Sequence, residues 1–219
     1  VEFIDIDIKT FNISIAHLES KLKTDAPPDL VIAVHMAGMP CDMHSLYDLA
    51  NKFGFQILED ASHALGSRIR SMPIGICKYS HACVFSFHPV KPISTGEGGA
   101  MVTNDATLAE KVRLLRSHGI TRDSALYEKS TGQKPSWYYE QISLGLNYRM
   151  SEINAALGVS QLKKLDRFIR ARHQLALVYR SKMECLNLGA FQDTGLDVRC
   201  NHHLEVFRFN QSKVRNEVY

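Results

Sequence analysis

Long apolar runs and a strong charge of one sign are both missing from this sequence. No apolar run approaches the roughly 20 residues that a membrane-spanning helix needs. The 26 Lys and Arg residues and the 23 Asp and Glu residues leave a net charge of +3, which is small for 219 residues. The charge therefore indicates neither nucleic acid nor a membrane surface as a partner. A hydrophobic content of 45% is still enough for one full core, or for one core and part of a second.

Cysteine is sparse, and its pattern does not suggest pairing. The five cysteines are odd in number and scattered, which favours reduced thiols in a cytoplasmic protein over a disulfide framework. The first seven residues resemble neither a signal peptide nor a basic transit sequence. Cys77, His81 and Cys83 are close in sequence, but they supply three ligands where structural zinc sites have four. We therefore expect no metal site.

Apolar runs of strand length alternate with amphipathic segments of helical period. The pattern predicts buried strands at 30–34, 55–60, 83–87 and 100–103, and helices at 42–53 and 105–116. It also predicts a half-buried strand at 1–7, a long helical stretch at 150–183 and a later strand at 206–209. This alternation indicates an α/β fold with a mostly parallel sheet, whose sites collect at the carboxyl ends of strands.

The second buried strand ends in acidic residues, and a histidine follows. Asp60 closes the strand and His63 lies three residues later. A carboxylate at such a position suits the protonated nitrogen of a pyridine ring that serves as an electron sink. Taken alone, Asp60 could equally cap the next segment, and His63 could be an ordinary buried histidine.

The third buried strand leads into a loop rich in Gly, Ser and Thr. Ser86 ends the strand, His88 follows, and Lys91 stands within the loop 86–99. Lysine amines form Schiff bases when burial and nearby cations lower their pKa, and glycines let backbone approach a ligand closely. A single lysine in a flexible loop would otherwise be an ordinary surface residue.

Taken together, these segments resemble the DegT/StrS family of pyridoxal-phosphate (PLP) sugar aminotransferases. The resemblance runs in order through segments 34–38, 59–66, 86–99, 102–105, 116–122, 146–150 and 153–158. Within the family, segments 137–140 and 161–166 look most like the pseudaminic-acid pathway enzymes, which aminate C4 of a UDP-linked 4-keto-6-deoxy-HexNAc sugar. The resemblance thus implies a PLP-dependent transaminase in nucleotide-sugar and polysaccharide biosynthesis, with glutamate as the amino donor.

The resemblance also implies a role for each matching residue. Lys91 matches the lysine that holds the cofactor and moves protons, and Asp60 matches the carboxylate on the pyridine nitrogen. His63 matches the residue near the phenolic oxygen of the ring, and Ser86 matches a phosphate-binding hydroxyl. Asn147 matches a phosphate contact from the neighbouring subunit, which implies a homodimer with shared active sites. Three more residues match segments that approach the substrate: His88, Arg149 and His203.

The implied architecture is the aspartate-aminotransferase-like fold type I. We expect a large PLP-binding domain with a mixed, mostly parallel sheet at 1–168, and the start of a small α/β domain at 169–219. The family's N-terminal region, with its Gly-Thr phosphate turn and its stacking aromatic residue, has no counterpart here, and neither has much of the small domain. We therefore expect a fragment that lacks both family termini.

Two other functions remain open from the sequence. One is a PLP-dependent sugar dehydratase, a close relative that carries histidine in place of the lysine, and Lys91 speaks against it. The other is a regulatory homologue that binds the cofactor without catalysis. The intact set of Asp60, His63, Ser86 and Lys91 disfavours this second alternative.

Overall fold

A computed structural model describes residues 1–127, 134–195 and 197–218. The helices are α1 Ile15–Leu22, α2 Met43–Phe53, α3 Ala106–Leu115, α4 Glu152–Leu162, α5 Leu165–Glu184 and α6 Ser212–Val218. The strands of the main sheet are β1 Leu30–Val34, β2 Gln56–Asp60, β5 Ala82–Ser86 and β6 Gly99–Val102. The shorter strands are β3 Arg68–Ile69, β4 Met72–Pro73, β7 Ile120–Thr121, β8 Glu140–Gln141, β9 Gly189–Phe191, β10 Val198–Arg199 and β11 Phe207–Phe209.

The main sheet has the strand order β1-β2-β5-β6. β1, β2 and β5 are parallel, whereas β6 returns antiparallel to β5. Val34 pairs with Asp60, and Asp60 pairs with Val84 two residues before the end of β5. The carboxyl ends of the three parallel strands therefore lie at one edge of the sheet. The four predicted strands and the mixed, mostly parallel α/β architecture are confirmed.

One face of this sheet is covered by α1 and α2. Asp42 caps the N-terminus of α2 by accepting from the Ser45 N–H, and Gly54 ends it in a left-handed conformation with φ of 82°. The core under these helices contains Val31, Ala33, Leu46 and Ile57. On the other face of β1, the side chains of Leu30, Ile32 and Val34 are exposed. The sequence predicted burial on both faces of this strand, and that prediction is wrong.

Two further predictions of local structure are wrong. The alternating segment 1–7 forms one isolated bridge, between Ile6 and Ile13, and no continuous ladder with another strand among the described residues. The long helical stretch 150–183 divides into α4 and α5. At the break, the Lys164 N–H donates to the Gln161 carbonyl, an i to i−3 bond that tightens the turn and ends α4.

The segments after α5 return to the earlier part of the chain. β10 pairs with β3, while β9 and β11 form a separate antiparallel pair. α5 continues without interruption across the predicted domain boundary between residues 168 and 169. The division into two domains stays a prediction. Among the described residues, no helix has the length and apolar character that crossing a membrane requires.

Candidate active site

Asp60 lies at the carboxyl edge of the sheet and is held from two sides. Its carbonyl accepts from the His35 N–H at 3.0 Å, which extends the pairing of β1 and β2 by one residue. Its Oδ1 accepts from the Ser62 N–H, also at 3.0 Å. The side chain is half-buried. One carboxylate oxygen is thus oriented by the backbone, and Oδ2 has no hydrogen-bond partner in the described part of the chain.

His63 follows in a turn that determines which of its ring nitrogens carries the proton. The Ala37 N–H donates to Nδ1 at 3.3 Å, so in the neutral ring the proton is on Nε2. Ala37 adopts a left-handed conformation with φ of 61°, which is unusual for a residue other than glycine. Burial lowers the pKa of His63, and the positive charge of Lys91 lowers it further. The negative charge of Asp60 raises this pKa, but its effect is smaller. His63 is therefore neutral at neutral pH and offers a donor at Nε2.

Lys91 is half-buried in the loop between β5 and β6. Its backbone N–H donates to the His88 carbonyl at 2.9 Å, and the loop is closed by a bond of 2.8 Å from the Phe87 N–H to the Gly98 carbonyl. Lys91 lies close enough to His63 and His203 for its charge to contribute to the lowered pKa of both histidines. The structure thus brings Lys91, Asp60, His63 and His203 together.

Ser86 ends β5 at the same edge of the sheet as Asp60, and its side chain is half-buried. Its Oγ accepts from the His88 N–H at 3.3 Å, which leaves the hydroxyl hydrogen free to donate. The side chain of His88 is exposed and lies 3.9 Å from the Glu97 carboxylate. The position of Ser86 suits an anionic ligand. His88 stays a predicted substrate contact.

His203 is a buried imidazole with an unused polar atom. Only 6% of the residue is exposed, and its ring centroid lies 4.6 Å from that of His63. Within the described residues, its Nδ1 is buried without a hydrogen-bond partner. Burial, followed by the charges of His63, Lys91 and Arg172, lowers the pKa of His203 to about 4. A neutral imidazole with an unsatisfied nitrogen can bind a polar group of a ligand.

Asn147 and Arg149 are not brought into this group. Both side chains are exposed, and the backbone of Asn147 bridges that of Ser117 after α3. Neither side chain makes a hydrogen bond or ion pair within the residues that the structure describes. Their predicted roles toward phosphate and substrate stay predictions.

Two buried polar groups beside the site were not predicted from the sequence. The His35 imidazole lies 2.8 Å from Glu59, which also accepts from the Ser80 hydroxyl. Asn201 is fully buried and bonded to the backbone of the segment that carries His63. Polar residues inside apolar surroundings were the only signal for either group, and that signal does not reveal their partners.

The fold is that of PLP-dependent aminotransferases. The sequence model of the DegT/DnrJ/EryC1/StrS aminotransferase family matches residues 1–218, so the chain belongs to this family. Aminotransferases of this family depend on PLP. The family implied by the sequence is thereby confirmed.

Two curated relatives are named as aminotransferases of UDP-linked sugars. The UDP-4-amino-4,6-dideoxy-N-acetyl-beta-L-altrosamine transaminase of Campylobacter jejuni is 40% identical over 84% of this chain and 46% of its own length. The UDP-4-amino-4-deoxy-L-arabinose–oxoglutarate aminotransferase of Shewanella sediminis is 35% identical over 81% of this chain and 44% of its own length.

Among solved structures, Helicobacter pylori PseC, an aminotransferase involved in the biosynthesis of pseudoaminic acid, matches with a TM-score of 0.85 and 33% identity. That match covers 99% of this chain and 54% of PseC. The chain therefore spans about half the length of the relatives that it matches.

Proposed function

We propose that the complete protein is a PLP-dependent aminotransferase that moves an amino group from glutamate to C4 of a UDP-linked 4-keto-6-deoxy sugar. The observation that carries the proposal is the convergence of Lys91, Asp60 and His63 at the carboxyl edge of a parallel sheet. We assign this reaction to nucleotide-sugar biosynthesis for surface glycans of the pseudaminic-acid type. The altrosamine transaminase and PseC support this choice of sugar by their names and similarity.

The donor and the location belong to the same proposal. The arabinose-type relative is named for oxoglutarate, the keto acid that corresponds to glutamate, and this supports glutamate as the donor. All five cysteines are free thiols, in keeping with a reducing cytoplasm.

The residues of the site fit PLP. When bound, PLP supplies an electron sink for the carbon that gains or loses a proton. Asp60 offers its half-buried carboxylate to the ring nitrogen, and the Nε2–H of His63 offers a donor to the ring oxygen. The Ser86 hydroxyl is free to donate to the phosphate.

Lys91 has two tasks in this proposal. Its amine would hold the cofactor, and its Nζ would hold and move the proton of the reacting carbon. The neighbouring imidazoles of His63 and His203 are neutral, so they add no positive charge where the lysine must give up and regain a proton. The half-buried position of the lysine also limits the access of water.

The proposal includes a homodimer with shared active sites. A phosphate group carries up to two negative charges and three acceptor oxygens, which one hydroxyl cannot satisfy. Asn147 of a second subunit would supply a further donor, and its exposed position leaves it free to do so.

The test compares Lys91→Ala with Lys111→Ala in the complete protein. Lys111 is an exposed residue of α3 and serves as the matched control. With PLP, glutamate and the UDP-4-keto sugar, Lys91→Ala should lose the absorbance of the lysine-bound cofactor. Its turnover should fall by at least about a hundredfold, because it lacks the residue that moves the proton. The Lys111→Ala variant should behave like the natural protein.

The products distinguish the proposal from its alternatives. An amino sugar that appears with the natural protein and not with Lys91→Ala supports the aminotransferase. A dehydrated sugar would instead identify a dehydratase, and cofactor binding without any product would identify a regulatory homologue. Unchanged turnover in Lys91→Ala would remove this lysine from the mechanism.

A further inference from the structure

Asn201 connects two segments that are far apart in sequence. Its Nδ2 donates to the carbonyls of His63 at 2.7 Å and Leu65 at 2.9 Å. Its backbone N–H donates to the Ser67 hydroxyl at 3.0 Å, and its Oδ1 accepts from the His203 N–H at 3.0 Å. The residue is fully buried, so these bonds form without competition from water.

Gly38 provides the space for the Asn201 side chain. A Cβ atom at Gly38 would lie 1.9 Å from the Asn201 Oδ1, a distance at which both cannot remain in place. The carbonyl of Gly38 also accepts from the Ser67 hydroxyl at 2.7 Å. Gly38, Ser67 and Asn201 therefore form one packed contact, which we call the Asn201 clamp.

The clamp lies directly behind the two imidazoles of the site. One of its bonds holds the carbonyl of His63 and another holds the N–H of His203, whose rings lie 4.6 Å apart. α5 adds a bond of 3.2 Å from the Arg172 guanidinium to the His203 carbonyl. The position of the His203 ring against His63 thus depends on how these backbone segments are joined.

We propose that Asn201 is a positioning residue, which docks the segment carrying His203 onto the segment carrying His63 and so holds the two rings together beside Lys91. The functional meaning of this placement rests on the function proposed above. The docking itself is independent of any reaction. Asn201 touches neither substrate nor cofactor in this role and acts through the two histidines.

The position of His203 has a measurable electrostatic consequence. The charged and titratable groups that face it are His63 from the turn after β2, Lys91 from the β5–β6 loop and Arg172 from α5, with Asp60 beside His63. Burial and the three basic groups lower the pKa of His203 to about 4. A His203 ring that leaves this place regains water and loses these charges, so its pKa returns toward the ordinary value of about 6.5.

The first test follows the titration of His203 by NMR in the complete protein with isotope-labelled histidine, before PLP is added, so that the Lys91 amine is free. His203→Gln identifies the resonance by its absence. In Asn201→Ala, the titration midpoint of His203 should rise by at least about one pH unit toward 6.5. Ser67→Ala removes the two bonds of the Ser67 hydroxyl but keeps the bonds of the Asn201 side chain. It should give a smaller rise and serves if Asn201→Ala does not fold. The matched control is Asn210→Ala, an exposed asparagine that should leave the midpoint unchanged.

The second test approaches the clamp from Gly38. Gly38→Ala should raise the His203 midpoint as Asn201→Ala does, because the new methyl group displaces the asparagine side chain. In the Asn201→Ala background, Gly38→Ala should add less, since the two asparagine atoms that a Cβ would overlap are gone and the His63 carbonyl oxygen, at 3.1 Å, is the close neighbour that remains. Gly54→Ala is the control for backbone strain. Both glycines have a positive φ, which is 98° at Gly38 and 82° at Gly54, but a Cβ at Gly54 meets no atom within 4 Å.

Two results would overturn the proposal. The first is an unchanged His203 midpoint in the folded variants Asn201→Ala and Ser67→Ala. The second is an effect of Gly38→Ala that is as large without Asn201 as with it. Because the midpoint is measured without turnover, a protein that lacks aminotransferase activity but shows the shifts would disprove the proposed function and leave the clamp in place.

Discussion

At His63, a single backbone amide determines which ring nitrogen is left to meet a ligand. The Ala37 N–H occupies Nδ1, so Nε2 carries the hydrogen that can be donated. A glutamine side chain can place an amide N–H near the position of Nε2, whereas an asparagine side chain can place a carbonyl oxygen near that of Nδ1. The two amides therefore imitate the two halves of the imidazole separately.

We predict that His63→Asn binds PLP more weakly than His63→Gln. The glutamine variant keeps the donor toward the cofactor, while the asparagine variant keeps only the contact with Ala37. Loss of the donor should raise the dissociation constant for PLP about tenfold, as expected for one hydrogen bond to a charged oxygen. Titration of the cofactor-free protein with PLP measures this constant. Tighter PLP binding by the asparagine variant would show that Nδ1, and not Nε2, is the ring nitrogen that contacts the cofactor.

At the scale of the secondary-structure elements, a buried polar pair joins the ends of β1 and β2. His35 follows β1, and its Nδ1 accepts from the Cys41 N–H at 3.0 Å, so its Nε2 donates to Glu59. The side chains of His35 and Glu59 are 0% and 5% exposed. Because the His35 backbone also binds the Asp60 carbonyl, this pair fixes the strand end that carries Asp60.

We predict that His35→Ala destabilises the protein far more than His44→Ala. Removing His35 leaves a buried carboxylate with only the Ser80 hydroxyl, which should lower the free energy of unfolding by about 3 kcal/mol or more. His44 forms the matched exposed pair with Asp48 on α2, where the loss should be below about 1 kcal/mol. Urea unfolding of both variants measures the difference. Equal losses would contradict a stabilising role for the buried pair.

At the scale of the whole molecule, exposed apolar residues flank Asn147 along the chain. Leu144, Leu146, Tyr148 and Ile153 are each more than half exposed. Exposed apolar surface of this kind often marks a contact between proteins. It supports the proposed homodimer, in which Asn147 would approach the cofactor site of the other subunit.

We predict that two inactive variants restore activity when their subunits mix. Asn147→Ala should weaken PLP retention and Lys91→Ala should abolish turnover, for the reasons given above. In a mixed dimer, one of the two sites contains both intact residues, so about a quarter of the natural activity should return when half of the dimers are mixed. Turnover after subunit exchange measures the recovery. Mixed dimers that stay inactive, while both variants fold and exchange, would contradict shared sites.

Much of the fold could be predicted because burial patterns are local. The apolar runs located β1, β2, β5 and β6, and Asp42 and Gly54 marked the ends of α2 through bonds within a few residues. The sequence also placed Asp60 and Ser86 at strand ends, which the parallel pairing brings to one edge of the sheet. The resemblance to the family, and no local pattern, joined Lys91 and His63 in one predicted site.

The sequence by itself thus determined the order of the main elements and the family, and it predicted the residues of the candidate site. Only the tertiary structure decided that one face of β1 is exposed, that α4 and α5 are separate, and that residues 1–7 form no strand. It also decided the proton position on His63 and the contact of His63 with His203. The physical reason is separation along the chain. Asn201 bonds to residues more than 130 positions away, and no local periodicity records which distant carbonyl a buried amide will meet.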